Sequence, residues 1–156
     1  MKTFLTALTL TTALTVPAIA LAKPVTITAN VNNYYGPPAF LALYVTDSAG
    51  RYVGSLWMAG GRSRYYEHLS SWYRASGGNM ADINGLTGAS VGPGQQLKVT
   101  LNLSDALFDA GYSLHVDAAI EGYGESSDDV VVPISTSGAG KPVNGRYIVS
   151  DLEYNM

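Results

Sequence analysis

The sequence contains no cysteine. This absence excludes disulfides, thiolate metal sites, iron–sulfur clusters and cysteine nucleophiles together. Charged residues are also scarce, at 13% of the chain, and the formal net charge is −3. A chain with this balance lacks the basic surface that binds nucleic acid through its phosphates. Any functional site therefore has to be built from hydroxyl, imidazole, carboxylate or aromatic side chains and a few arginines.

Long apolar stretches are absent except near the N-terminus. Lys2 supplies a positive start, an apolar and threonine-rich run extends from Phe4 to Val16, and Ala20-Leu21-Ala22 forms a small-x-small cleavage site. This pattern is typical of a secretory signal peptide over residues 1–22, with an uncleaved anchor as the alternative. No later stretch reaches the roughly 20 apolar residues of a transmembrane helix. We therefore predict a soluble periplasmic protein with no transmembrane helix after signal removal.

Removal of residues 1–22 from the 156-residue chain would leave residues 23–156, a length that fits one domain. The charge along this domain is uneven. Residues 23–81 carry a net charge of +3, whereas residues 82–156 carry −7. One part of the molecule is therefore expected to favour anions.

Alternating and apolar segments rich in β-branched residues predict seven strands. The clearest pair is Phe40–Asp47 and Tyr52–Met58, which a turn at Ser48–Gly50 joins into an antiparallel hairpin. The strands are predicted at residues 25–33, 40–47, 52–58, 96–103, 112–120, 130–134 and 146–153.

The pattern changes to helical spacing between Arg64 and Ala75, and Ser63 is the expected N-cap of one short helix. The segment from Ser76 to Gly94 is expected to be irregular. Seven strands, short turns and one helix predict a mostly β fold, an immunoglobulin-like antiparallel β-sandwich with one short helix.

Several catalytic and metal sites are weakly indicated. His68 falls on the predicted helix and His115 on a strand, and nothing in their spacing brings them together as metal or haem ligands. A Ser/His/Asp hydrolase is disfavoured because no G-x-S-x-G stretch is present. The acidic residues between 121 and 129 are expected to be solvated carboxylates in a polar loop, with a glycosidase pair or a calcium site as alternatives.

An aromatic group near the helix has two interpretations. Five rings lie close to arginines in the sequence, namely Trp57, Tyr65, Tyr66, Trp72 and Tyr73 with Arg62, Arg64 and Arg74. The structural interpretation is that the helix packs its rings on the sandwich while the arginines line its edge. The functional interpretation is a flat-ring ligand that stacks on an aromatic side chain with its phosphate near an arginine.

The stretch NGLTGAS, from Asn84 to Ser90, also has two interpretations. Its glycines, with the following Gly92-Pro93-Gly94, suit a turn that precedes a strand. The stretch also offers a hydroxyl with small neighbours on an extended or pliable backbone. These are the requirements for a side chain that must enter the active site of another enzyme.

NGLTGAS resembles the covalent flavin attachment motif of FMN-binding periplasmic domains, written Asp-Gly-x-Ser/Thr-Gly-Ala-Thr/Ser. In those domains a separate Mg-dependent flavin transferase uses FAD to esterify the FMN phosphate onto the last hydroxyl and releases AMP. The resemblance implies that Ser90 is the acceptor and that Thr87, Gly88 and Ala89 form the recognition core. Asn84 stands where the motif has Asp.

Most of the mature chain is similar to domain-of-unknown-function family 2271. The similarity is carried by PPAFLALYVTDSAGRYVGSLW from Pro37, LSSWY from Leu69, TGASVGPG from Thr87 and AGYSLHVDAAIE from Ala110. The usual Trp-Asp-Gly block of that family is replaced here by residues 99–105. The resemblance implies a periplasmic protein with an immunoglobulin-like β fold, associated with membrane flavin and PepSY-type electron-transfer systems.

Two functions follow as hypotheses. The first is an accessory domain of a flavin-linked electron-transfer system that carries FMN on Ser90. Its phosphate charge would be offset by Arg62, Arg64 and Arg74, and its ring would be stacked on or shielded by helix aromatics such as Trp72. Its partners would be a flavin transferase and a membrane electron-transfer protein. The second is a cofactor-free β-sandwich that binds a membrane partner or a small ligand. In neither case is the protein itself expected to be a catalyst.

Overall fold

The computed structural model describes residues 21–156, so the predicted signal peptide lies outside the described residues apart from its last two positions. Two sheets form a β-sandwich, and the predicted mostly β, antiparallel class with one short helix is confirmed. The strands are β1 Ala22–Val31, β2 Ala39–Thr46, β3 Tyr52–Ala59, β4 Thr87–Gly88, β5 Gln96–Ser104, β6 Ser113–Ile120, β7 Gly124–Pro133, β8 Val143–Asn144 and β9 Val149–Asn155.

One sheet has the order β5-β1-β9-β8 and the other the order β4-β3-β2-β6-β7. The predicted β2–β3 hairpin is present, and Leu43 pairs with Trp57. The short edge strand β4 is the one parallel element of the described topology, since it runs alongside β3. None of the helices in residues 21–156 is long and apolar enough to cross a membrane.

Strand β2 is buried along its whole length, which explains its unbroken apolar sequence. Its residues alternate between two apolar clusters. Ala39, Leu41, Leu43 and Val45 face the main core between the sheets. Phe40, Ala42 and Tyr44 face a second cluster on the outer surface of the five-stranded sheet, where the helical segment covers them.

The helical segment differs from the prediction. Ser63–His68 forms a 3₁₀ helix, Leu69 interrupts it with φ −86° and ψ 66°, and α1 covers only Ser70–Ser76. Ser63 is not an N-cap, because the cap position of the 3₁₀ helix is Arg62, which makes no side-chain cap hydrogen bond. Leu69 is fully buried in the second cluster, so burial of its side chain coincides with the break.

The acidic segment after residue 121 also departs from the expected polar loop. Strand β7 begins at Gly124, and Asp129 on this strand has no solvent exposure. Asp128 adopts a positive φ of 49°, at a point where the β6–β7 register shifts. This irregularity turns side chains of the strand inward, where hydrogen bonds rather than water satisfy them.

Candidate functional site

The Asn84–Ser90 segment is hydrogen-bonded to the five-stranded sheet both within its length and just after its end. Leu86 and Gly88 accept hydrogen bonds through their carbonyls from the N–H groups of Met58 and Gly60, at 2.8 Å each. Beyond Ser90, Val91 exchanges two backbone hydrogen bonds with Ala39, at 2.7 and 2.8 Å. The expected irregular loop is therefore partly ordered, with a 3₁₀ turn at Met80–Ile83 and strand β4.

Gly88 has a structural reason to be glycine. A Cβ atom at this position would lie 2.8 Å from the ring of Trp57, so the backbone of β4 rests directly on the indole. The indole Nε1 of Trp57 is buried and has no hydrogen-bond partner within residues 21–156. Glycine at position 88 thus allows β4 to pack closely on Trp57, independently of any functional role.

Ser90 lies in an open groove of about 450 Å³, here called the Ser90 groove. The groove is lined by Pro37, Pro38, Phe40, Gly61, Arg62, Ala89, Ser90 and Glu121. Ser90 is half-buried, and its hydroxyl makes no hydrogen bond to the described part of the chain. The structure therefore brings together the two predicted residues Ser90 and Arg62, which are far apart in the sequence.

The Ser90 groove also contains a residue that sequence reasoning did not assign to it. Glu121 Oε2 lies 3.1 Å from Arg62 Nη1, and both side chains are largely exposed. Pairing of β2 with β6 places Glu121 beside the start of β2, a contact that no local sequence pattern records.

Five of the predicted residues do not line this groove. Thr87 is exposed on β4, and Gly88 packs on Trp57. Asn84 is exposed at the end of the 3₁₀ turn, and Arg64 is exposed on the preceding 3₁₀ helix. Trp72 has no solvent exposure, and its Nε1 donates to Ser55 Oγ at 2.8 Å. Its ring fills the second apolar cluster beneath α1, so no face of it is open to a ligand in this conformation.

A second groove, of about 440 Å³, is lined by residues of the same segment. It contains Gly88, Ala89 and Ser90 together with Trp57 and Lys98. The segment therefore borders two grooves, one that contains an arginine and one that contains a lysine.

The two histidines have different partners in the structure. His68 Nδ1 lies 2.6 Å from Glu125 Oε1, and its ring stacks on Tyr65 at a centroid distance of 4.3 Å. Within residues 21–156, no group of three or more histidine and carboxylate side chains is arranged to hold a metal ion. The outer surface of the helical segment thus carries His68 in a hydrogen bond with a carboxyl group of β7.

His115 takes part in a chain of hydrogen bonds. Its Nε2 lies 2.8 Å from Thr46 Oγ1, and its Nδ1 lies 2.9 Å from Asp128 Oδ1. This order of atoms matches the hydroxyl–imidazole–carboxylate order of a hydrolase triad. Thr46 is buried, however, and none of the three residues lines either groove beside Ser90. The chain ties β2, β6 and β7 together.

The polar cluster continues to Asp117, which has no solvent exposure. Its carboxylate accepts hydrogen bonds from the backbone N–H groups of Trp72, at 2.6 Å, and Asp128, at 2.8 Å. Burial, with a further contribution from the nearby Asp128 charge, raises the pKa of Asp117 above its usual value. Burial and the same two carboxylates raise the pKa of Tyr44, whose hydroxyl donates to Asp128 at 2.9 Å.

The fold and its surface grooves define a small β-sandwich domain. The model of the family described as "Predicted periplasmic protein (DUF2271)" matches residues 22–150, and the chain belongs to this family. The periplasmic location expected from the sequence agrees with this description. No curated protein and no solved structure matches the chain.

Proposed function

We propose that the protein is a periplasmic accessory domain of a flavin-linked electron-transfer system, with Ser90 as the acceptor of the FMN phosphate. One observation carries the proposal. The hydroxyl that ends the motif-like stretch NGLTGAS is half-exposed, has no hydrogen-bond partner in residues 21–156 and shares a groove with Arg62. A phosphate on Ser90 would find a guanidinium group in the same groove, and guanidinium is well suited to bind phosphate oxygens.

The edge position of β4 supports access by a transferase. Leu86 and Gly88 direct their carbonyls toward β3. Because successive residues of a strand alternate in direction, the backbone groups of Thr87 face away from the sheet. Another protein can bind such an edge as an added strand, which would hold the acceptor hydroxyl in a defined register.

The attachment step balances with FAD as the co-reactant. The Ser90 Oγ–P bond forms as the phosphoanhydride bond of FAD breaks, AMP leaves, and the serine proton is lost. When bound, the flavin supplies the redox chemistry. The residues of this chain would have other tasks, since Arg62 would offset the phosphodiester charge and the Pro37, Pro38 and Phe40 side chains would offer apolar surface. Arg64 and the buried Trp72 are less suited to direct contact.

The second function, a cofactor-free module that binds a small ligand, is favoured by Glu121. Its carboxylate already pairs with Arg62 in the groove. A ligand with both an anionic and a cationic group would match this pair without displacing it. Covalent FMN, by contrast, would require Arg62 to turn from Glu121 toward the phosphate.

The intact mass of the protein, produced together with an active flavin transferase, separates the two functions. Attachment predicts a mass increase of one FMN that is lost in Ser90→Ala. Ser63→Ala is the matched control because Ser63 is an exposed serine outside the groove, and this variant should keep the adduct. An unmodified mass in the folded wild-type protein, from a transferase that modifies a control substrate, would exclude the carrier function and leave the binding module.

A further inference from the structure

A separate groove at one end of the sandwich is lined mainly by tyrosines. Tyr34, Tyr35, Tyr123 and Tyr147 line it together with Asn32 and Asn33, and its volume is about 260 Å³. Three of these rings are unusually open, since Tyr35 is 96% exposed, Tyr147 67% and Tyr123 58%. We call this site the tyrosine groove. A concentration of exposed aromatic side chains is uncommon on a protein surface and marks an interaction site.

Two of the three open rings, Tyr123 and Tyr147, lie on hydrogen-bonded backbone. Tyr147 precedes β9 in a turn whose N–H groups, from Tyr147 to Val149, converge on the buried carboxylate of Asp129. Tyr123 donates its N–H to Ile120 at 2.9 Å. The hydroxyl of Tyr34 is fixed to the carbonyl of Pro37 at 2.6 Å. Such a site loses little conformational entropy when a ligand binds.

The rings also converge on one another. A Cβ atom at Gly36 would lie 3.2 Å from the ring of Tyr34 and 3.3 Å from that of Tyr123, so both rings approach the same point of the backbone. Glycine at this position allows the two aromatic walls to come together.

The polar groups of the groove restrict the kind of ligand. None of the residues that line it is charged, so the groove offers no ion pair to a charged ligand. The side-chain nitrogen of Asn32 donates to the carbonyl of Tyr147 at 2.8 Å, and this bond fixes the orientation of the amide. Asn32 therefore offers its oxygen, an acceptor that requires a donor on the ligand.

Two ligand classes suit grooves of neutral aromatic side chains. A proline-rich segment packs its rings against aromatics, but proline has no N–H to give to the Asn32 oxygen. A sugar has apolar C–H faces that pack on tyrosine rings, and each of its hydroxyls can donate as well as accept. We propose that the tyrosine groove binds a neutral oligosaccharide.

Isothermal titration calorimetry with cellohexaose, maltohexaose and chitohexaose tests this proposal. At least one of the three should bind, and Tyr147→Ala and Tyr123→Ala should each weaken that binding about tenfold, as expected for loss of one stacking ring. Tyr147→Phe, which keeps the ring, should lose much less. Tyr73→Ala is the matched control, since Tyr73 is exposed on α1 and does not line the groove.

Circular dichroism and thermal unfolding of every variant establish that the fold is intact. The proposal is overturned if the folded wild-type protein binds none of the three sugars at millimolar concentration. It is also overturned if decaproline binds through Tyr123 and Tyr147 while the sugars do not. Ser90→Ala should bind the sugar as the wild type does, because the tyrosine groove does not include Ser90. Loss of binding in that variant would assign the sugar to the Ser90 groove instead.

Discussion

Two fully buried carboxylates, on adjacent strands of the five-stranded sheet, organise two different regions of the molecule. Asp117 on β6 receives N–H groups from Trp72 and Asp128 and so anchors α1 to the sheet. Asp129 on β7 receives three consecutive N–H groups, from Tyr147 to Val149, and the hydroxyl of Ser126. One carboxylate positions a helix and the other positions the turn before β9.

The two carboxyl groups differ in the number of hydrogen-bond donors they accept from and in the charges beside them. The N-cap residue of α1, Leu69, makes no side-chain cap hydrogen bond. The carboxyl group of Asp117 on strand β6 instead accepts the N–H group of Trp72 in α1. Asp117 has the Asp128 carboxylate nearby, which opposes its ionisation. Asp129 instead accepts from a row of backbone donors, which is the arrangement of an anion-binding nest. A buried acid can therefore replace local capping signals wherever enough donors converge.

The largest expected effect comes from Asp129→Ala. Removal of this carboxylate leaves three backbone N–H groups without an acceptor, and we expect a loss of about 3–5 kcal/mol in the free energy of unfolding. Asp117→Ala should cost less, since fewer donors depend on it. Urea denaturation of both variants measures the difference, and an equal or larger loss for Asp117→Ala would contradict the comparison.

The Asn84–Ser90 segment provides a third region for comparison, because no buried carboxyl group holds it in place. The Ser90 segment is held by backbone hydrogen bonds and by the contact between Gly88 and Trp57, so Gly88→Ala should cost about 1–3 kcal/mol through overpacking. Gly54→Ala on β3 is the control, because a Cβ there meets nothing within 4 Å. Thermal unfolding should separate the two variants, and equal stability would argue against a rigid β4–Trp57 contact.

The stability of the protein should depend on pH through the carboxyl group of Asp117. Its folded-state pKa lies above the ordinary value of 3.8, so the folded protein holds this proton more tightly than the unfolded chain does. The resulting stability is complete below about pH 3.8 and is lost as the pH rises through the folded-state pKa. Asp117→Asn cannot titrate, so its stability should improve relative to the wild type over that rise. Urea unfolding across the acidic range measures this, and a constant difference would contradict it.

The smallest effects are expected at Ser126 and Ser127. The hydroxyl of Ser126 donates to the fully buried carboxyl group of Asp129, and Ser126→Ala should cost about 1–2 kcal/mol because a buried acceptor loses its donor. Ser127 bonds to the neutral hydroxyl of Ser70 on α1, so Ser127→Ala should cost about 0.5–1 kcal/mol. Denaturant unfolding of both variants compares the two regions directly, and the reverse order would weaken the distinction between them.

Sequence patterns predicted the elements whose causes are local. The apolar run of β2, the β2–β3 hairpin and the helical spacing after residue 63 all correspond to observed elements. The break at Leu69 was not predicted. The helix that follows it, α1, is anchored by the hydrogen bond from Trp72 to Asp117, and Asp117 lies 48 residues after Leu69 in the sequence. No local pattern indicates such a contact. The burial of Asp129 was missed for the same reason, because its donors come from the turn before β9.

The candidate sites also contain some residues that local patterns predicted and others that only the folded chain brings together. Ser90 and Arg62 were selected by a motif and by charge, and the structure places them in one groove. Glu121 enters that groove through strand pairing, which leaves no local trace in the sequence. Trp72 was assigned to a ligand because it belongs to a group of rings close to arginines in the sequence, whereas the ring packs beneath α1. The tyrosine groove combines residues from three separate segments, so only the folded chain reveals it.

The complete burial of β2 has a consequence for hydrogen exchange. With apolar clusters on both faces and strands on both edges, its amides can exchange with solvent deuterium only when the whole domain unfolds. The exchange rate of these amides would therefore report the global stability of the protein. The amides of β4, at the sheet edge beside Ser90, should exchange earlier through local opening. Exchange mass spectrometry could then follow the acceptor segment as a separate unit that opens while the rest of the sandwich stays closed.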